Sequence, residues 1–245
     1  MFQALKTQLD AHRESSNPMW KVVDLARETA RDLRYALAPS TARLTLPFSG
    51  DDILATAMAD FCTRVGARVI VETGTNVGAT TAALARMAPR VLTIEANAKF
   101  VNEARNNLRE FSNIEIFHGD SGEVLPAVLL NETGPALFFL DAHWGRRWPL
   151  LAELKAIAAA EIFTDSVIII HDMHVPDRDF GYDVYGGKRL DLSYVRESLL
   201  KINPEFEHSY PTEANGARRG WVAIHPRLEG TVSRRITHGS IGDFA

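Results

Sequence analysis

Arg68-Val69-Ile70-Val71-Glu72-Thr73-Gly74-Thr75-Asn76-Val77-Gly78 is the stretch that decides the fold. Val69 to Val71 form a short apolar run, the mark of a strand buried on both faces. A carboxylate follows, then a turn with two glycines, then Ala79-Thr80-Thr81-Ala82-Ala83-Leu84-Ala85, which reads as a helix. Strand, glycine turn and helix N-terminus together make a place for the polar part of a nucleotide-like ligand. Gly74 allows the tight turn, and Gly78 lets helix and ligand approach the backbone. A dinucleotide fingerprint requires G-x-G-x-x-G, but Asn76 stands at its middle position. A P-loop requires a lysine after its last glycine, and Gly78 is followed by alanine. What remains is E-x-G-x-x-x-G.

From this stretch outward, strand and helix patterns alternate, which signals a parallel, doubly wound sheet. Strands are expected at 68–73, 91–94, 114–117, 136–140 and 167–170, with helices between them. Two last strands, 206–210 and 220–225, would form an antiparallel hairpin around the Asn215-Gly216 turn. The fold class is therefore α/β, a doubly wound, Rossmann-like, seven-stranded sheet, mostly parallel with its last hairpin antiparallel. Residues 1–65 read as an N-terminal helical cover, 66–226 as the ligand-binding domain, and 227–245 as a polar tail or oligomer contact. Within the cover, Asp51 or Asp52 opens a helix reaching about Val65. Residues 176–190 read as a loop rich in Gly, Tyr and Asp.

The chain has 245 residues, enough for one large α/β domain. With Lys+Arg 27 against Asp+Glu 31, its net charge is −4, so no global basic field is available to hold a nucleic acid. Arg218-Arg219 and Arg234-Arg235 read as local, solvated basic pairs. Cys62 is the only cysteine, which excludes an internal disulfide, and its apolar helical setting favours a buried thiol. No apolar run reaches transmembrane length and Met1 to Asp10 lacks the pattern of a signal peptide, so the expected location is the cytoplasm.

The E-x-G-x-x-x-G turn resembles motif I of the class I S-adenosylmethionine-dependent methyltransferases. The resemblance extends over roughly 66–226. It includes the acidic end of the second strand at Glu95, Gly119-Asp120-Ser121 after the third, and Leu140-Asp141-Ala142-His143 at the fourth. Glu72, Glu95, Asp120, Asp141 and Asp172 all stand at or beside ends of the five parallel strands, which in an open α/β sheet form one crevice. A sulfonium ligand is cationic and suits such a crevice, whereas the pyrophosphate of a dinucleotide would be repelled. On this reading Gly74, Thr75, Asn76 and Gly78 wrap the methionine end of the cofactor, and Glu72 meets its ammonium directly or through water. Glu95, 21 residues after Gly74, accepts the ribose hydroxyls. Asp120 and Ser121 hold the adenine, and Asp141 borders the cofactor.

Family members that methylate exocyclic base amines carry [DNS]-P-P-[YFW] after the fourth strand. Asp141-Ala142-His143-Trp144 stands there instead, which argues against a base amine. Ile170-His171-Asp172-Met173-His174-Val175-Pro176 resembles the O-methyltransferases acting on antibiotic sugars and surface glycans. The activity so implied is methyl transfer to a hydroxyl of a small molecule or sugar. An alcohol does not ionise at neutral pH and needs a base or a metal. His143 is the expected base, His174 its rival, and Asp141 the orienting partner. Asp141 and Asp172, with His171 beside them, are the candidate ligands of Mg²⁺, although metal-dependent members carry a neighbouring carboxylate where His171 stands. Phe180 to Gly187 reads as an aromatic lid over the acceptor, with Tyr182 and Tyr185 as its contacts. The other readings are a non-catalytic cofactor-binding module, an NAD(P)-dependent oxidoreductase, and a methyltransferase acting on RNA or protein.

Overall fold

A computed structural model describes residues 46–143, 148–228 and 236–241. The first 45 residues of the expected helical cover, Trp144 and Arg234-Arg235 lie outside the described residues.

A tight turn at Pro47–Gly50 leads into α1 (Asp52–Val65), whose first N–H groups of Ile53 and Leu54 are capped by the Asp51 carboxylate. Gly66 ends this helix in the left-handed conformation (φ 63°). The alternating part follows as β1 (Val69–Thr73), α2 (Ala79–Leu84), β2 (Arg90–Glu95), α3 (Ala98–Asn107), β3 (Ile114–His118), α4 (Ser121–Leu129), β4 (Ala136–Leu140), α5 (Leu150–Ala159) and β5 (Val167–His171). A small hairpin, β6 (Val184–Tyr185) and β7 (Lys188–Arg189), precedes α6 (Leu192–Ile202), β8 (Glu207–Pro211), β9 (Trp221–His225) and β10 (Ile236–Ser240). Among these helices none is long and apolar enough to cross a membrane.

The main sheet runs β10-β8-β9-β5-β4-β1-β2-β3. Its five members from β5 to β3 are parallel, and β9, β8 and β10 are added antiparallel. Successive residues of each central strand point to opposite faces, so the sheet divides two cores. Val71, Phe138, Leu140, Ile168 and Ile170 pack with Leu125, Leu154, Ile157, Val195 and Leu199 of α4, α5 and α6. Ile70, Leu137, Phe139, Val167 and Ile169 pack with Leu54, Met58 and Phe61 of α1 and Leu84 of α2. Burial on both faces explains why these strands are continuous apolar runs. Cys62 is buried in the second core, where desolvation raises its thiol pKa.

The sheet has one strand more than the seven expected. Residues 236–240, expected as part of a polar tail, pair antiparallel with β8, Ile236 against Pro211 through Ser240 against Glu207. Only Ile236 of this strand is deeply buried, so it lacks the apolar run that marks an interior strand. Its anchor is polar: Ser209 Oγ lies 2.7 Å from both His225 Nε2 and His238 Nδ1.

The chain moves outward from β1 through β2 to β3, then returns across β1 to β4 and β5. The carboxyl ends of β1 and β4 are therefore a topological switch point, where open α/β sheets bind ligands. Gly74 at the end of β1 lies so close to β4 that a Cβ there would sit 2.9 Å from Asp141 O.

Candidate active site

The glycine turn is built around two buried carboxylates. Gly74 and Gly78 have φ 91° and 90°, a region that disfavours other residues, and a Cβ on Gly78 would sit 2.7 Å from Leu108 Cδ1. Asn76 is also left-handed (φ 53°), and its N–H donates to Glu95 Oε2 at 2.7 Å. The second oxygen, Oε1, accepts from Asn97 N–H at 2.8 Å. Glu95 thus fastens the turn to the end of β2. Each carboxylate oxygen can accept more than one hydrogen bond, so both retain capacity for a ribose hydroxyl. Burial raises the pKa of this carboxyl against the pull of those N–H groups.

Glu72 lies beneath the turn, fully buried. Its Oε2 accepts from Thr81 Oγ1 at 2.5 Å and Thr93 Oγ1 at 2.6 Å, while Oε1 has no partner among the described residues. Its position is that of an inner anchor joining β1, β2 and α2. Asp120 caps α4 by accepting from Gly122 N–H at 3.0 Å. Ser121, expected at the adenine, is buried and directs its hydroxyl to Glu153 Oε1 at 2.5 Å.

At the neighbouring strand ends the charged groups form a chain. His171 Nδ1 lies 2.9 Å from Asp141 Oδ1 and 3.4 Å from Asp172 Oδ1. Arg219 donates from Nε to Asp172 and from Nη2 to Asp183. Burial alone would push the His171 imidazole down, but Asp141 and Asp172 outweigh it and hold the pKa up at about 9. His171, expected beside the metal set, is engaged by these two carboxylates and is not part of the group formed by Asp141, His143 and Asp172. For Asp172, the positive charges of His171 and Arg219 overcome desolvation and keep the carboxyl well below its ordinary range.

Asp141, His143 and Asp172 each offer a ligand atom, all within 4.8 Å of one another. Two carboxylates and an imidazole suit a divalent cation. Asp172 spends one oxygen on Arg219 and has a second to offer. His143 lines the same cleft as Asp141, Trp148, Glu153, Asp172 and Asp183. His174 is not among the residues that line it. Its ring meets Tyr182 edge-on, with centroids 4.9 Å apart, and its backbone N–H donates to Leu190 O. The two candidate bases therefore differ in place, with His143 at the cleft and His174 beside Tyr182.

The segment expected as a lid forms the β6–β7 hairpin, turning at Gly186-Gly187 with φ 58° and 81°. Tyr185 stacks on Trp148, which stacks in turn on Tyr194, each pair with centroids 4.7 Å apart. Arg219 ties the base of the hairpin to β5 through Asp183. This residue was expected as half of a solvated pair, but two carboxylates compensate its burial, while its neighbour Arg218 stays at the surface beside the Phe180 ring. Glu153, Trp148 and Arg219 were not among the expected site residues. For Glu153 a signal existed: it lies on the apolar stripe of Leu150, Leu154 and Ile157, where a charge is out of place. Arg219 carries no such mark, because its partners are distant in sequence.

No family model matches the chain. It is 26% identical over 140 residues to the ribosomal RNA small subunit methyltransferase A of Leuconostoc mesenteroides subsp. mesenteroides, a match covering 54% of this chain and 46% of that protein. The chain thus spans about half the length of that relative. Among solved structures, cofactor-bound Rv0187 from MTB superimposes with a TM-score of 0.56 at 22% identity, covering 79% of this chain and 88% of that one. The O-methyltransferase TomG from Streptomyces achromogenes, involved in tomaymycin synthesis and solved with S-adenosylmethionine, gives 0.52 at 21% identity, covering 71% and 80%. The O-methyltransferase from Bacillus cereus, solved with S-adenosylhomocysteine, gives 0.53 at 20% identity over the same 71% and 80%. The fold is the Rossmann-like fold of S-adenosylmethionine-dependent methyltransferases.

Burial pushes the Glu72 carboxyl from 4.5 up to about 8, against the two hydroxyl bonds that favour its charge; Asp141 and Glu95 add to the rise. The folded state then binds more protons than the unfolded state between these values, so stability falls as pH rises through that window. Glu72→Gln, which imitates the protonated acid, should gain on the wild type by roughly 1–3 kcal/mol between pH 5 and 9. Thermal unfolding across that range is the check; parallel profiles would place Glu72 in a more polar setting.

Proposed function

We propose that this chain is an S-adenosylmethionine-dependent O-methyltransferase whose acceptor is a hydroxyl of a small molecule or sugar. One observation carries the reading: the acid-anchored glycine turn at the switch point lies beside a cleft where Asp141, His143 and Asp172 converge. The turn and Glu95 suit the cofactor, and the convergent side chains suit the activation of an alcohol. The names of TomG and the Bacillus cereus protein support the hydroxyl acceptor. The Leuconostoc relative raises RNA as an alternative, but the acidic cleft and the net charge of −4 oppose a polyanion. For a sugar, the support is the aromatic stack of Tyr185, Trp148 and Tyr194 beside a set of carboxylates.

Methyl transfer is an in-line displacement at the sulfonium, so donor and acceptor must be aligned before reaction. The Gly74–Gly78 turn and Glu95 fix the donor. His143 accepts the proton of the acceptor hydroxyl as the oxygen attacks the methyl carbon. The His171–Asp141 bond and the Arg219–Asp172 pair keep these carboxylates oriented towards the cleft. Asp141 and Asp172 would hold Mg²⁺, which when bound supplies a lower pKa to the acceptor hydroxyl.

Two outcomes follow. Glu95→Ala removes acceptors for two ribose hydroxyls, each worth about 1.5–3 kcal/mol. Affinity for S-adenosylmethionine should fall at least about tenfold while circular dichroism stays unchanged, and an unaltered dissociation constant would move the cofactor elsewhere. His143→Ala should lower kcat by about 10²–10⁴ with cofactor affinity nearly kept. Full activity in that variant would remove His143 from the chemistry, and activity surviving exhaustive EDTA treatment would remove the metal.

A further inference from the structure

Glu153 is a buried acid that the chemistry above does not use. It stands on the inward stripe of α5, is 1% exposed, and lines the cleft together with Asp141 and His143. Its Oε1 is taken by Ser121 Oγ. Its Oε2 has no hydrogen-bond partner among the described residues; Thr73 Oγ1 is nearby but outside hydrogen-bond geometry. Among the described residues, the charges that act on it are carboxylates, Asp120 and Asp141, and no ion pair offsets it. Burial therefore holds this carboxyl up at about 7, with the two neighbouring carboxylates adding to the rise.

A neutral side chain would serve Ser121 as well. A glutamine could accept the same hydroxyl without the cost of a desolvated charge. What an acid adds is a full negative charge in a water-poor site, and that charge is useful only towards a positive ligand. The His171 imidazolium and Arg219 are already engaged by Asp141, Asp172 and Asp183. Among the described residues no Lys or Arg lines the cleft, and a cationic ligand would supply the missing counter-charge.

We infer that Glu153 is a charge-recognition residue of the cleft, which favours the cationic methyl donor over the neutral product. Transfer of the methyl group converts a sulfonium into a thioether, with the positive charge leaving as the acceptor proton. The carboxylate then loses its counter-charge, and the cleft loses affinity for what remains. Donor and product are thus distinguished by the protein and not only by concentration. This inference rests on the cofactor assignment made above.

Titration calorimetry at pH 8 tests it with three probes: S-adenosylmethionine, S-adenosylhomocysteine, and sinefungin, in which an amine replaces the sulfonium. The wild type should bind both cationic ligands at least about tenfold more tightly than the thioether, by the scale of one desolvated charge interaction. Glu153→Gln should bring the three affinities within about threefold by weakening the cationic pair alone, with no loss of thermal stability. Ser121→Ala, which keeps the charge and removes the hydroxyl, should change all three ligands alike. Equal affinities in the wild type overturn the inference without any variant, as does a Glu153→Gln protein that keeps the wild-type preference. If none of the three ligands binds the wild type, the cofactor assignment falls and the inference with it.

Discussion

The approach of two backbones at Gly74 and Asp141 is the constraint on which the site depends. β1 and β4 are adjacent only because the chain reverses direction there, and a side chain at Gly74 would collide with the Asp141 carbonyl. That contact puts the glycine turn and the end of β4 within one crevice. It also fixes where the turn can go next, since Asn76 must reach Glu95 across the end of β2. Hydrophobic burial stabilises the sheet, but this local fit makes one end of it a site.

Charge is the second organising element. Carboxyls cluster at this end of the sheet, and the fold treats them in two ways. Asp141, Asp172 and Asp183 are paired with His171 and Arg219, which orient them. Glu72 and Glu153 are buried with only hydroxyl donors and hold their protons to about 8 and about 7. The first group is suited to handling protons and cations during reaction. Of the second group, Glu153 lines the cleft, while Glu72 anchors the turn from beneath. On the proposed reading, a site of this kind discriminates by charge as well as by shape, as a sulfonium donor requires.

The central fold was legible because parallel strands buried on both faces must be apolar runs. Residues 136–140 were read from Ala-Leu-Phe-Phe-Leu alone, and β4 occupies those same positions. The expected helix after Pro149 is α5, and the expected strand ends carry Glu72, Glu95, Asp141 and Asp172 where the crevice forms. β10 was not legible, because an edge strand with one deeply buried residue has no periodic signature. The β6–β7 hairpin is too short to leave one. Arg219 looked like a surface charge because its partners, Asp172 and Asp183, are 47 and 36 residues away in sequence. Ser121 is expected at the adenine from the Gly119-Asp120-Ser121 motif, and its hydroxyl bond to Glu153, 32 residues away on another helix, leaves no mark in the sequence. Sequence therefore located the residues at strand ends, while the pairings between loops required the structure.

The central claim is that an acid-lined glycine turn at the switch point selects a sulfonium cofactor. Calorimetric titration of the intact chain with S-adenosylmethionine and, separately, with NAD⁺ tests it most directly. A single saturable site for S-adenosylmethionine and no heat of binding for NAD⁺ is the predicted result. Saturable NAD⁺ binding, or binding of neither ligand, would contradict it.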